Sequence, residues 1–529
     1  MDTSVLARSS LLPLYANSIS YKSCGLYVIG YNGLSRNLGR AHMYSTTRAL
    51  NSSTTRNLHS SSTRSSPPVA SSAPQVSLAG TASESHIPTD FPTQAPPMSK
   101  SAPLSVLPLS TVIRNLATTS ISSSRVLLPP SLAIMNVLAH SNKGILNPDK
   151  NPLLRWFLKK TFYSQFCAGE NPAEVRRTID GLKNIGFTGV ILGYAREIVL
   201  SDSQTRTLSP CDEGPLAAEC LRNEIGPWAA GTLETVRLAQ PGDFVALKFS
   251  GAGRQALYAL KNRLPPPKHL RQAIDEICAA AAKQNVPLLF DAEQMAVQAG
   301  IDDWTLEYQR KHNKIPGHAI IYGTYQAYLK STPHTLSAHL AAAAKDNFTL
   351  GVKLVRGAYL GADPRYIIHD TKEQTDAAYD SISTSLICRQ WGETLQPENG
   401  AATSFPRVSV VLGSHNLESV RRARTTRESP EADRNTELAI AQLQGMADEI
   451  SCELVLAAKE KRAVVAKGND DTPKAYKYIV WGTTGECMKY LLRRAYENRD
   501  AVARTRSGRD AMWAEVVRRV RGSLGLGAA

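Results

Sequence analysis

Short apolar runs alternate with helix-length segments from residue 188 to residue 480, and no other feature restricts the fold so tightly. The runs are residues 188–192, 244–249, 286–290, 319–322, 350–355, 408–412 and 476–480. Helical stretches such as 269–284, 335–347 and 371–391 lie between them. A strand, a helix and a strand in succession imply parallel pairing through a crossover. Repeated over this length, the pattern predicts an α/β fold closed as a (β/α)8 TIM-like barrel. Seven strands are clear, and the eighth is expected around residues 441–446, where hydrophobicity is weak. Segments 200–223, 390–406 and 421–434 are polar or proline-bearing and read as long surface loops.

The first part of the chain has a different composition. Between Asp2 and Glu84 there is no acidic residue, while Arg8, Lys22, Arg36, Arg40, Arg48, Arg56 and Arg64 stand among many Ser and Thr. An Arg-rich, Ser-rich and acid-poor leader is the signature of an organelle transit peptide, here a mitochondrial one. Residues 1–125 are therefore expected to be transit peptide and disordered linker, and 126–529 the barrel domain. The leader contributes to the net charge of +15, so the basic balance calls for no nucleic-acid partner. The basic clusters at 421–424 and 518–521 lack interleaved aromatics and read as solvated helix faces or as a weak attraction to anionic lipid. No run of 18 apolar residues suggests a membrane span. The eight cysteines are scattered singly with no CxxC, which points to reduced thiols and to neither a zinc site nor a disulfide framework.

In such a barrel, chemistry sits at the C-terminal ends of the strands. Polar residues gather there: Lys248, Asp291, Gln326, Lys353, Arg356 and His415, with Tyr478 on the last strand. Each alone has a plain structural explanation. Asp291, with Gln294 three residues on, fits a helix cap, and His415 fits a turn. Lys248 in an apolar strand is harder to dismiss, because a buried lysine needs a partner. Asp291 on the neighbouring strand end is the candidate. A nominal dinucleotide fingerprint, Gly251-Ala-Gly253-Arg-Gln-Ala256, lacks the expected acid about 20 residues on and is set aside.

The segment from Tyr490 to Asn498 closes the argument. At 100° per residue Met488, Leu491, Leu492, Ala495 and Val502 share an apolar face, while Arg493, Arg494 and Glu497 fall together opposite. Arg before Glu is the weaker order for helix support. Two adjacent guanidiniums, each a planar fork of donors, suit a carboxylate ligand.

This string resembles the substrate helix of the proline dehydrogenase family. Further motifs resemble that family in the same order: Tyr194-Ala-Arg-Glu197, Lys248, Asp291-Ala-Glu293, Lys353-Leu-Val-Arg-Gly-Ala-Tyr359, His415-Asn416, Leu443-Gln-Gly-Met446 and Tyr478. The leader and insertions resemble the fungal mitochondrial branch. The resemblance implies a distorted barrel holding FAD noncovalently, with a C-terminal substrate helix over its mouth. Arg493 and Arg494 would pair with the carboxylate of L-proline, and Glu497 would steady one guanidinium. Tyr478, Leu443, Ala358 and Tyr359 would wall the ring, and Lys248 and Asp291 would form the floor. Gln326, Lys353, Arg356, Gly357, His415 and Asn416 would hold the flavin. Bacterial members often have Arg where Lys353 stands, and the family often has Pro where Val480 stands. The implied reaction is oxidation of proline to Δ1-pyrroline-5-carboxylate, with electrons passed to a quinone at the matrix side of the inner mitochondrial membrane through a peripheral contact. Rival readings are a hydroxyproline dehydrogenase, a Schiff-base lyase using Lys248 or Lys353, and a non-catalytic barrel.

Overall fold

The computed structural model describes residues 102–196, 198, 207–211, 213–398, 404–464, 474–497 and 502–525. The expected transit peptide, Cys24 and Glu197 lie outside them. Eight parallel strands close into a barrel in sequence order. They are β1 (Gly189–Tyr194), β2 (Phe244–Leu247), β3 (Leu288–Phe290), β4 (Ile321–Gln326), β5 (Leu350–Val355), β6 (Val408–Gly413), β7 (Glu437–Leu443) and β8 (Lys474–Trp481). β8 pairs with β1 over six residue pairs, from Gly189↔Tyr476 to Tyr194↔Trp481, which closes the ring.

Among the described residues, the helices of seven or more residues that precede the barrel are α1 (Leu109–Ser122), α2 (Leu128–His140), α3 (Pro152–Leu158) and α4 (Pro172–Ile185). Crossover helices follow as α5 (Gly226–Leu238), α6 (Arg254–Lys261), α7 (Lys268–Gln284), α8 (Met295–His312), α9 (Thr332–Asp346), α10 (Lys372–Cys388), α11 (Leu417–Glu428) and α12 (Asp448–Val464). After β8 come α13 (Thr484–Glu497) and α14 (Val502–Ser523).

Side chains alternate across a strand, so every second residue points into the barrel. Phe244, Tyr322 and Tyr476 plug its lower half, with Phe244 edge-on to both tyrosines at 5.7 and 5.1 Å. Ile191, Ala246, Leu289, Val411, Ala439 and Ala441 fill the space around them. The same alternation, one or two steps further along, brings Lys248, Asp291, Thr324, Gln326, Lys353, Leu443 and Tyr478 to the upper end.

Several expectations need correction, among them that segment 200–223 is a loop, since Gly214–Cys220 within it is helical. The eighth strand is β7, beginning four residues before the expected start. Its inward residues are Ala439 and Ala441, kept small by the aromatic plug, and that is why its hydrophobicity is weak. Most of segment 421–434 is no loop: α11 runs through Glu428, and Arg421 pairs with Glu453 of α12 at 3.0 Å. The described fold also begins well before residue 126. Val112 of α1 is buried with Leu104, Leu107, Cys452 and Met512, and the Asn115 amide donates to Asp448 Oδ2 at 2.7 Å. α1 was obscured by its Ser and Thr content. Thr118, Thr119 and Ser122 return their hydroxyls to helix carbonyls one turn back, so the polar residues are satisfied without solvent. The seven described cysteines are buried free thiols.

Candidate active site

Asp291 stands at the centre of the upper barrel. It extends from the end of β3 and is 5% exposed. Lys353 of β5 ion-pairs with its Oδ1, the Lys248 ammonium lies 3.5 Å from its Oδ2, and the Tyr478 hydroxyl donates to the same oxygen at 2.9 Å. Lys353 also sits over the Tyr478 ring, 5.2 Å from its centroid. Burial raises the Asp291 carboxyl, but Lys353, Lys248 and the hydrogen bonds together outweigh it and hold the group below the ordinary carboxylate range. Burial lowers the Lys353 ammonium, Asp291 pulls it back, and Lys248 and Arg494 push it down again, leaving it below the ordinary lysine value. Asp291 does not cap a helix, contrary to the sequence-based alternative. α8 begins at Met295, whose amide donates to Asp363 Oδ1 at 3.2 Å.

Beside this floor the β5–α10 loop folds over β4. The Gln326 side-chain oxygen accepts from the Ala358 amide at 3.0 Å, and Tyr359 is buried with its hydroxyl toward Ala292 O at 3.4 Å. Gly357 has φ +151°, and a Cβ there would lie 2.4 Å from the Tyr328 ring, so the loop needs glycine to pass. Arg356 ion-pairs with Asp376, donates to Ser419 Oγ at 3.2 Å and lies over the Tyr379 ring. His415 Nε2 accepts from the Leu443 amide at 3.1 Å, tying the end of β6 to that of β7. Asn416 caps α11, its side-chain oxygen accepting from the Glu418 and Ser419 amides.

α13 covers the opening. Met488 and Leu492 pack against Leu132 and Ala139 of α2 and Leu158 of α3, while Leu491 meets Tyr163, Cys167 and Val480. Burying each of these large side chains is worth about 1.5–3 kcal/mol, which fixes the helix's rotation. The expected apolar face stops short of Val502, because α13 ends at Glu497 and Val502 begins another helix. The Glu497 side chain lies outside the described residues. Arg493 and Arg494 both lie over the Tyr490 ring, at 5.8 and 5.6 Å. That Arg494 depresses the Lys353 ammonium puts its charge within electrostatic reach of the floor.

Two residues that sequence reasoning missed belong to this mouth. Gly193 of β1 leaves room for Tyr478: a Cβ there would come 3.1 Å from the phenol oxygen. Thr324 is register partner to Lys353 and shares its inward face. Its hydroxyl is buried and has no protein partner among the described residues. Period-two counting back from Gln326 was the available signal for Thr324. A buried, unsatisfied hydroxyl beside Lys353, Gln326 and the Arg356–Ala358 backbone suits a polar, anionic cofactor such as a flavin nucleotide. By contrast, the nominal dinucleotide turn is closed to phosphate. The Arg254 amide at the start of α6 donates to Glu224 Oε2 at 2.7 Å, so a carboxylate of the chain already holds that position.

The proline dehydrogenase family profile matches residues 175–507. A probable mitochondrial proline dehydrogenase of Schizosaccharomyces pombe is 29% identical over 69% of this chain and 80% of its own length. Mitochondrial proline dehydrogenase 1 of Arabidopsis thaliana is 29% identical over 69% of this chain and 75% of its own. A hydroxyproline dehydrogenase of Bos taurus is 27% identical over 69% of this chain and 82% of its own. Among solved structures, the crystal structure of proline utilization A (PutA) from Bdellovibrio bacteriovorus inactivated by N-propargylglycine shares the fold. Its TM-score is 0.51 at 18% identity, and the match covers 74% of this chain and 38% of that longer one. With the profile spanning most of the barrel and both α13 arginines inside it, the chain belongs to the proline dehydrogenase family.

Proposed function

We propose that this chain oxidises L-proline to Δ1-pyrroline-5-carboxylate with noncovalently bound FAD, in mitochondria, at the matrix side of the inner membrane. The observation that carries the reading is one barrel mouth with Asp291, Lys248, Lys353 and Tyr478 on its floor and two guanidiniums on the helix above. Relatives named as mitochondrial proline dehydrogenases and the acid-free leader support the substrate and the compartment.

Arg493 and Arg494 take the proline carboxylate, which orients the ring toward the floor. Tyr478, pinned through its hydroxyl to Asp291, forms a rigid wall against that ring, with Leu443, Ala358 and Tyr359 as further walls. Lys248 and Lys353 balance the Asp291 charge, so the floor presents no uncompensated carboxylate to the substrate's own anion. Gln326, Lys353, Arg356, Gly357, His415 and Asn416 hold FAD, and the Asn416 contribution runs through the α11 cap. When bound, FAD would supply the hydride acceptor opposite proline C5, with a membrane quinone as the final electron acceptor. As that hydride leaves and the ring nitrogen loses its proton, a C=N bond forms in the substrate.

Hydroxyproline is the competing substrate, since a relative bearing that name matches equally far. The Tyr478 side chain crowds the ring carbon that would carry the extra hydroxyl. Anaerobic titration of the purified holoenzyme with L-proline, and separately with trans-4-hydroxyproline, is the test. Bleaching of the flavin bands by proline at lower concentration is expected, and bleaching by neither sinks the reading. Tyr478→Ser should narrow the proline/hydroxyproline ratio of kcat/KM by roughly tenfold, mostly by weakening proline. An unchanged ratio would move specificity to Leu443 or Tyr359.

A further inference from the structure

Helix α2 is apolar on both sides. From Val126 to Ala139 the chain carries no charged residue. Leu132 and Ala139 face inward against α13, while Ile134 and Val137 stand 61% and 50% exposed on the other face. A helix apolar all round is ordinarily buried all round. α3 repeats the pattern: Leu158 packs inward, and Leu153, Trp156 and Phe157 are 74%, 60% and 55% exposed. Their i, i+3, i+4 spacing makes one outward stripe. Between the helices Ile145 is 79% exposed.

The chain that forms this surface carries mostly positive charge. From Pro103 to Ala168 the sole acidic residue is Asp149, and its carboxylate accepts from the Gly485 amide at 2.9 Å. Arg125, Lys143, Lys150 and Lys160 are exposed in the same stretch. A second copy of the chain would bring like charges face to face across a self-complementary contact. The leader, acid-free between Asp2 and Glu84, carries charge of the same sign. An anionic lipid surface meets both requirements. Phosphates pair with the cations, and Trp156 and Phe157 enter the boundary between headgroups and acyl chains.

We infer that α2, the connecting loop and α3 form the surface by which this protein docks on an anionic bilayer. The inference rests on the reading that the electrons leave to a membrane acceptor, and it names the face that meets the membrane. No described helix is long and apolar enough to cross a membrane. Because α2 packs directly on α13, docking there brings the covered barrel mouth to the lipid surface.

The full chain is to be floated with vesicles of phosphatidylcholine alone and of phosphatidylcholine with phosphatidylglycerol. Binding is expected to the anionic vesicles. It should fall about tenfold or more in Trp156→Ser/Phe157→Ser and become less salt-sensitive in Lys143→Gln/Lys150→Gln/Lys160→Gln. Brominated acyl chains should quench tryptophan emission in the native chain and much less in Trp156→Phe, a variant that keeps the packing. Proline oxidation with a soluble dye should be unchanged in all of these variants. Equal flotation of native and Trp156→Ser/Phe157→Ser chains would assign binding to the leader and overturn the inference. So would a change from dimer to monomer in that variant without loss of flotation. A chain that floats as expected but never reduces the dye with proline would refute the proposed reaction and leave the docking surface standing.

Discussion

Asp291 sets the electrostatics of the mouth, because two ammonium groups and a phenol converge on one buried carboxylate. Its partnership with Lys248 was legible in the sequence, since a lysine in an apolar strand has to find an acid. Lys353 was read as a flavin contact or, in the rival lyase reading, a Schiff-base lysine; its ion pair with Asp291 follows from barrel register, which the sequence does not display. Asp291→Asn should cost about 3–5 kcal/mol, the usual loss when one partner of a buried pair is removed. The pH dependence has a definite sign. With its carboxylate gone, Lys353 falls further below the ordinary value of 10.5. The folded state then favours the neutral amine, so the variant should gain stability as pH rises toward that value. Thermal midpoints of both proteins across that range decide it, and parallel curves would mean that Lys353 is not strained. Arg493→Met and Arg494→Met should each keep the flavin spectrum and weaken proline by about 2–5 kcal/mol in kcat/KM. A KM equal to that of the native enzyme in either variant would remove that arginine from the carboxylate site.

At the scale of elements, α13 depends on how its first turn is held. The sequence Thr483-Thr-Gly-Glu486 has the pattern of a capping box, and the box forms: Glu486 Oε2 accepts from the Thr483 amide at 3.1 Å, and Thr483 Oγ1 from the Glu486 amide at 3.2 Å. Two further acceptors come from far away in the chain and left no trace in local sequence. Glu170 takes the Thr484 amide and hydroxyl at 2.8 and 2.6 Å, and Asp149 takes the Gly485 amide. Three carboxylates at one helix N-terminus also suit the helix dipole. Lys159 anchors Glu170 at 2.8 Å. Burial raises the Glu170 carboxyl, but the hydrogen bonds from Lys159 and Thr484 prevail and hold it below 4.5. Its folded value is depressed, so its contribution is present above 4.5 and lost as pH falls through the lower folded value. Glu170→Gln should therefore show a shallower loss of thermal stability below about pH 5 than the native chain. At neutral pH it should raise the KM for proline while flavin content is unchanged. An unchanged KM would show that α13 holds its place without Glu170.

The barrel as a whole was readable because seven strands carry bulky β-branched or aliphatic runs, and a repeated strand–helix rhythm leaves few alternatives. β7 was misplaced because packing against the plug demands alanine there, and α1 was missed because its polar residues are satisfied within the helix. The α1 omission has a consequence for the entire molecule. Asp448 accepts from Asn115 on one side and from buried Lys477 of β8, at 2.6 Å, on the other. Arg519 of α14 donates to the carbonyls of Leu104 and Leu107 at 3.1 and 2.8 Å. The segment before residue 126 thus joins α12, α14 and a barrel strand. A chain beginning at residue 126 leaves the Lys477–Asp448 pair without its Asn115 partner and uncovers Cys452 and Met512. Losing the burial of Leu104, Leu107 and Val112 at about 1.5–3 kcal/mol each should remove a large share of the folding free energy. A chain beginning near residue 100 should unfold at the same temperature as the full-length protein, and one beginning at residue 126 at a markedly lower temperature or with no cooperative transition. Equal melting of the two truncated chains would show that α1 is dispensable to the barrel.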